Sequence, residues 1–433
     1  MRIGIVGGGI AGLTAAIKLL EQGHHIFLFE KDEKLGGLAQ AIDFSGNKLD
    51  KFYRHIFKSD LDIIDLINEL KLTDKLKWMK STLGFYYEGK IYNFTTPFDL
   101  LKFSPLPFFD RIKLGLMALY LKRVKNWKKY ENITAKQWIE KYVGKKVYEV
   151  VWGPLLYQKF ADRAEEIAMT WLYGRISARF KSREKGGAQE VLGYMDGSFE
   201  VLINTMEKII LGKGGKIFKN SPVNKIITEN NKLKAIKTNS GEYELDALIL
   251  TCSPMIIKNL YNWDNDYLLK LNSHEYFGAI ALIISLKKSL SKIYWLNVAD
   301  KNSPFVAVVE HTNFISASNY LGNNIIYLGK YLSTENRLYH LSNEELKDTF
   351  FNYLEKINPL FNKKDVIEYK VVREPFAQPV VKKNYSKILL DFRTPLKGVY
   401  VANMSQIYPE DRGMSYSVGL GNKISEIIKS DNK

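Results

Sequence analysis

The spacing of apolar residues changes twice within the first thirty positions. Arg2 to Val6 is an apolar run of strand length. From Ile10 to about Glu21, Leu13, Ile17 and Leu20 recur on one helical face. His25 to Phe29 is a second apolar run, ending at the acid Glu30. The pattern predicts strand, helix, strand. Helical spacing returns at Leu202, Met206 and Ile209/Ile210, after Gly197-Ser198-Phe199. Buried strands are expected at Asp246 to Leu250 and over Lys397 to Asn403. Strand-like runs at Gly278 to Leu286, Phe305 to Val309 and Ile325 to Lys330 suggest an antiparallel sheet. No run of about 18 uncharged apolar residues occurs, so no transmembrane helix is expected. The glycine-punctuated N-terminus lacks a clear cleavage site and reads as a strand and a turn rather than a secretion signal.

Composition narrows the class. At 433 residues, 46% hydrophobic and 25% charged, the chain has material for two or three domains, and global disorder is excluded. Cys252 is the only cysteine, which rules out an intrachain disulfide and fits a reducing, cytoplasmic setting. The formal charge of +16 suits nucleic acid, an anionic membrane surface or a phosphorylated substrate, and equally a lysine-rich proteome. Zinc-finger spacing, RNP-like strands and tandem repeats are missing, so no nucleic-acid partner is expected. There is no H-E-x-x-H and no Ser-His-Asp arrangement, and no metal is expected.

The sharpest signal is Gly7-Gly8-Gly9-Ile10-Ala11-Gly12 between a strand and a helix, with an acid 18 residues after Gly12. Gly7 permits the turn, Gly9 lets backbone approach a pyrophosphate, and Gly12 lets the helix pack closely. The helix N-terminus at Ile10 and Ala11 offers unpaired N–H groups to phosphate, and Glu30 can accept hydrogen bonds from ribose hydroxyls. This is a dinucleotide-binding arrangement.

Glu30 is followed by Lys31 and soon by Gly36-Gly37-Leu38. That order resembles the FAD signature of the superfamily containing amine oxidases, phytoene desaturases and protoporphyrinogen oxidases. The resemblance recurs at Gly214-Gly215 and Val223, at Thr251-Cys252-Ser253-Pro254, and at Asn403 with Tyr408-Pro409-Glu410-Asp411-Arg412-Gly413-Met414. It implies that Val223 reaches the adenine and that Asn403, Asp411, Gly413 and Met414 reach the flavin end. The usual family strand ends Ala-Gly, whereas this one ends Ala402-Asn403. The implied fold is α/β: a Rossmann-like FAD-binding domain (1–60, 190–255, 371–433) interleaved with an α+β substrate domain (61–189, 256–370). Arg373 to Pro379 resembles the family's re-entry strand beside the flavin ring. The stretches Asp50 to Asp60, Trp152 to Phe160 and Trp171 to Arg179 look most like a protoporphyrinogen-oxidase-like subgroup with many unassigned substrates.

The resemblance implies hydride transfer from a C–N or C–C bond of an apolar or amphipathic, small or lipid-linked substrate to FAD, by a monomer or homodimer. Candidate site residues are His55 with Tyr53 and Arg54, Lys159, Arg175 and Tyr416. His55 could accept a proton or be a structural histidine. Arg54 could bind an anion or pair with Asp60. Arg175 and Arg179 share a helix face, as an anion clamp or as two solvated arginines. Tyr416 is an aromatic wall or core packing. Two other classes stay open: a redox-neutral flavoenzyme resembling UDP-galactopyranose mutase, and a prenyl-binding module resembling the Rab GDP-dissociation inhibitors. The intact glycine fingerprint, Glu30 and the C-terminal block argue against the latter.

Arg111 to Tyr130 holds seven Lys/Arg and no acid. Read as one helix, it puts Leu116, Met117, Tyr120, Val124 and Trp127 on one face. It suits in-plane contact with the inner face of a membrane, or a core helix with a basic outer side.

Overall fold

The computed structural model describes residues 1–181 and 189–432. Residues 182–188, within the expected 61–189 segment, lie outside them. A five-stranded sheet forms the base, in the order Lys216–Phe218, His25–Phe29, Arg2–Val6, Ala247–Leu250, Val399–Val401. Every pairing in it is parallel, so all five strands deliver their carboxyl ends to one edge. Apart from the half-exposed edge strand Lys216–Phe218, the strands are buried on both faces over most of their length and accordingly read as apolar runs. Helices Ile10–Glu21, Glu200–Gly212 and Met414–Asp431 pack together beside this sheet.

A second sheet has seven strands, in the order Val366–Pro379, Tyr276–Leu286, Asn324–Leu332, Ala307–Glu310, Trp295–Val298, Leu83–Tyr87, Lys90–Asn93. It is antiparallel except where Leu83–Tyr87 joins Trp295–Val298 in parallel. That exception needs no tight turn, because the two strands come from different insertions. The fold is therefore α/β, with a Rossmann-like parallel sheet beside a mixed sheet. Val366–Pro379 runs across the boundary placed at 371 and pairs along its length with Tyr276–Leu286.

The helices of the middle insertion make a separate cluster built on Met117, Leu121, Trp138, Phe160 and Trp171. The basic stretch differs from its expected form. Its helix is Phe108–Arg123, and the chain leaves helical geometry at Val124. The packed face is Leu114, Met117 and Leu121, while Leu116 and Tyr120 point to solvent. The helix seats itself by a narrow i, i+3, i+7 stripe, one position out of phase with the wider face expected.

Candidate active site

The glycine turn is shaped by what would collide with a side chain. Gly7 has φ +110°, and a Cβ there would lie 2.5 Å from Thr251 Oγ1. The Thr251 hydroxyl donates to the Val6 and Gly7 carbonyls at 2.9 and 3.2 Å, tying two strand ends together. A Cβ on Gly12 would meet the Gly7 carbonyl oxygen at 2.1 Å. Gly9 is the opposite case: nothing lies within 4 Å of its absent side chain. That open position, at the N-terminus of Ile10–Glu21, is a cradle for a phosphate-bearing group.

The second glycine pair closes on the first. Gly36 donates its N–H to the Gly8 carbonyl at 2.8 Å, and Gly36 and Gly37 both have positive φ. Glu30 is buried, accepting from the Gly8 N–H at 2.7 Å and the Asp32 N–H at 3.0 Å. Each oxygen keeps a further acceptor position for a ribose hydroxyl. Lys31 is exposed and engages Asp32. Val223 is brought close because residues 218–221 run beside Glu30: the Glu30 N–H donates to Phe218 and the Ser221 N–H to Glu30.

The last helix completes the cradle. A Cβ on Gly421 would lie 2.7 Å from the Ala11 carbonyl oxygen, so Met414–Asp431 crosses Ile10–Glu21 at contact distance. With about 1.5 Å rise per residue, Met414 then stands roughly 10 Å beyond the crossing. A second positive helix end thus serves the same edge. Gly413 caps it in extended geometry. Asn403 is buried and its Nδ2 lacks a partner, as does Arg54 Nε. An open cradle, two helix N-termini, an anchored carboxylate and unpaired buried donors fit a dinucleotide such as FAD.

Beside the cradle lies a cavity of about 60 Å³. Leu38, Phe52, Tyr53 and Arg54 line one side; Ala279, Tyr331, Ala377 and Arg412 line the other. Arg54 donates to the Leu38 carbonyl, which links the cavity to the second glycine pair. Gly329 makes room for Tyr53, whose ring would sit 2.6 Å from a Cβ there. Arg412 is held at Nε by Gln378 (3.0 Å) and at Nη2 by the Tyr331 hydroxyl (2.8 Å). A larger cleft of about 240 Å³, walled by Lys48, Lys77, Tyr194 and Tyr320, shares no residue with this cavity or with the cradle.

Asp411 is the hub behind the cavity. Its Oδ2 accepts from Lys159 at 2.9 Å and Arg175 at 2.8 Å; its Oδ1 accepts from Trp171 at 2.9 Å and Gln378 at 3.2 Å. These four donors occupy the acceptor positions of the carboxylate. Burial alone would raise its pKa, but Lys159, Arg175 and Arg412 together hold it well below the usual range. Burial pushes the Lys159 ammonium down to about 7, with Asp411 pulling the other way. Arg175 is thus a bound partner of Asp411, and its place on Met169–Lys181 brings Trp171 to the same carboxylate.

His55 sits among Phe57, Tyr294 and Trp295, with Nδ1 3.3 Å from the Tyr294 hydroxyl. Burial, then the charges of Arg179 and Arg175, push it down to about 3. It is therefore neutral at pH 7 and too weak a base to take the proton expected of it. Arg54 makes no pair with Asp60, whose Oδ2 accepts from the Phe57 N–H. Tyr416 packs against Gly413 and is not part of the cavity wall. Burial lifts the Cys252 thiol to about 12, which makes it inert. Arg412, Tyr331, Gln378 and Trp171 had no assigned role from sequence. The Glu410-Asp411-Arg412 run, three charges in one loop, was the available signal. Among the described residues no His/Cys/Asp/Glu group could hold a metal.

A sequence profile described as flavin-containing amine oxidoreductase matches residues 10–410. The 15-cis-phytoene desaturase of Capsicum annuum is 24% identical over 432 aligned residues, covering 93% of this chain and 73% of the desaturase. A candidate protoporphyrinogen oxidase from Exiguobacterium sp. 255-15 superimposes with TM-score 0.79 at 17% identity, covering 99% of both chains. A reduced UDP-galactopyranose mutase gives TM-score 0.77 at 16% identity, over 99% of this chain and 95% of that one. The structural likenesses establish a common fold.

Proposed function

The chain belongs to the flavin-containing amine oxidoreductase family, and on that premise we propose that it dehydrogenates a C–N or C–C bond of an amphipathic substrate with FAD. The observation that supports this most is the direct joint between cradle and cavity: Gly36-Gly37 runs into Leu38, whose carbonyl holds Arg54 at the cavity wall. Bound FAD supplies a two-electron acceptor for hydride. Tyr53 and Tyr331 give the substrate an aromatic wall, and Ala279 and Ala377 leave room for a chain. Arg54 and Arg412 supply fixed donors to a polar or anionic end. Gln378 and Tyr331 set the plane of Arg412, so orientation is settled before the substrate arrives. Lys159 Nζ, close to neutrality, is the one group of the network able to hold or release a proton near pH 7.

One observation favours a second reading. Arg54, Arg175, Arg412 and Lys159 outnumber the two carboxylates that face them, Asp411 and Asp50. That surplus suits a pyrophosphate, as in a redox-neutral flavoenzyme acting on a nucleotide- or lipid-linked sugar. The first test is the visible spectrum of purified protein before and after acid precipitation. Oxidised flavin bands that move to the supernatant support FAD binding; colourless protein that takes up no added FAD overturns it. Anaerobic bleaching by a substrate marks the dehydrogenase, and turnover only after prior reduction marks the redox-neutral enzyme.

A further inference from the structure

Among the described residues, eight of the nineteen exposed large apolar side chains fall within residues 97–123. Two successive helices, Pro97–Lys102 and Phe108–Arg123, expose Phe98 (73%), Leu101, Phe108, Phe109 (76%), Leu116 (59%) and Leu119. The helices form a rigid knuckle rather than a loose loop. Thr96 and Asp99 cap the first in a reciprocal box. Arg111 on the second donates to the carbonyls of Leu101 (2.6 Å) and Leu106 (2.7 Å), bracing the turn between them. A stiff apolar projection of this kind marks an interaction surface.

Charge identifies the partner. Residues 97–130 carry eight bases and two acids. Both acids are engaged, Asp99 in the cap and Asp110 with Lys113 at 3.2 Å. Lys102, Lys122, Arg123 and Lys125 stand exposed around the apolar tips. A second copy of the chain would bring two such basic rims together and be repelled. An anionic bilayer accommodates both features, phenylalanines among the acyl chains and lysines at the headgroups. No helix among the described residues is long and apolar enough to cross a membrane, so the contact is in-plane. We propose that the 97–125 knuckle seats the protein on an anionic lipid surface. The seated helix packs on Met169–Lys181, which brings Trp171 and Arg175 to Asp411. The lipid face is thus the outer side of the wall behind the cavity.

The test is co-sedimentation of the full-length, FAD-loaded protein with vesicles of phosphatidylcholine alone or with about a third phosphatidylglycerol. The protein is expected to pellet at least about tenfold more with the anionic vesicles, and less as salt is added. Phe98→Ser/Phe109→Ser/Leu116→Ser is expected to lose about tenfold or more of that binding with unchanged flavin spectrum and Tm, since all three side chains are exposed. Lys122→Glu/Lys125→Glu is expected to weaken it as well. The proposal is overturned if the wild type stays in the supernatant with anionic vesicles, or if the triple variant pellets as the wild type does. It is equally overturned if light scattering shows a dimer that the triple variant splits while neither protein binds lipid.

Discussion

Replacing Asp411 by Asn tests the hub most directly. The carboxylate holds two cations, and its side chain is 14% exposed, that of Lys159 10% and that of Arg175 33%. Asparagine can still accept from Lys159 and Arg175 through its one oxygen. Its NH₂ then faces the Trp171 and Gln378 donors, and the two charges lose their counterion. Removing one partner of a buried pair costs about 3–5 kcal/mol. At about 2 °C per kcal/mol for a large cooperative unit, Tm should fall by roughly 6–10 °C. The loss has a signature in pH. Without Asp411 the Lys159 pKa drops below its present value of about 7. Between that lowered value and the unfolded value of about 10.4, the unfolded chain binds the extra proton, so stability rises with pH. The variant should therefore be most damaged near pH 6 and partly recover by pH 9, where Lys159 is neutral in the fold. Thermal unfolding followed by circular dichroism at pH 6, 7.5 and 9 reads both effects. Adding Lys159→Met should restore part of the loss, by about 0.5–3 kcal/mol of coupling. A Tm change below about 2 °C, or one that does not vary with pH, would refute the account of Asp411 as a charge hub.

Gly12→Ala should abolish the ratio of flavin to protein absorbance, because its Cβ meets the Gly7 carbonyl at 2.1 Å; full flavin content would show that the turn yields. Arg412→Met should keep the flavin spectrum and raise the KM of an anionic substrate about ten- to a hundredfold, the loss of a charged hydrogen bond of about 1.5–3 kcal/mol, whereas an unchanged KM would remove Arg412 from binding. Stability between pH 4 and 6 should rise with pH by about 1.4 kcal/mol per unit from five buried groups. His55 and His311 at about 3 and His274 at about 4 are protonated only when unfolded in this window, while Asp50 and Asp60, raised to about 6, hold protons only when folded. Three against two leaves one proton, and His311→Gln should flatten the slope by about that amount in urea titrations, an unchanged slope counting against a buried neutral histidine.

The parallel sheet was legible because each of its principal strands is a local event: an apolar run, buried on both faces, that ends in a glycine, an acid or a turn. The cradle was legible for the same reason, since Gly7, Gly9 and Gly12 carry their geometry in their own spacing. The parallel pairing of Leu83–Tyr87 with Trp295–Val298 was not, because it joins segments about two hundred residues apart. Asp411 shows the limit at one residue. Its place in a loop after the last strand could be read, but its four donors stand at 159, 171, 175 and 378 and leave no trace near it. His55 likewise looked titratable until Tyr294 and Trp295 enclosed it. The basic helix was misphased because a break at Val124 cannot be told from the pattern alone.

The crossing of Met414–Asp431 over Ala11 bears on how the protein is made. The two helix ends that frame the cradle are about four hundred residues apart in the chain, as are the strands Arg2–Val6 and Val399–Val401 of one sheet. While the ribosome is still adding the middle of the chain, the glycine turn exists but its second wall does not. The complete cradle can therefore form only after residues 414–431 have been added. Closure over so long a loop is slow. A nascent chain stalled before residue 399 would present an exposed parallel edge at Ala247–Leu250, a template for pairing with another chain.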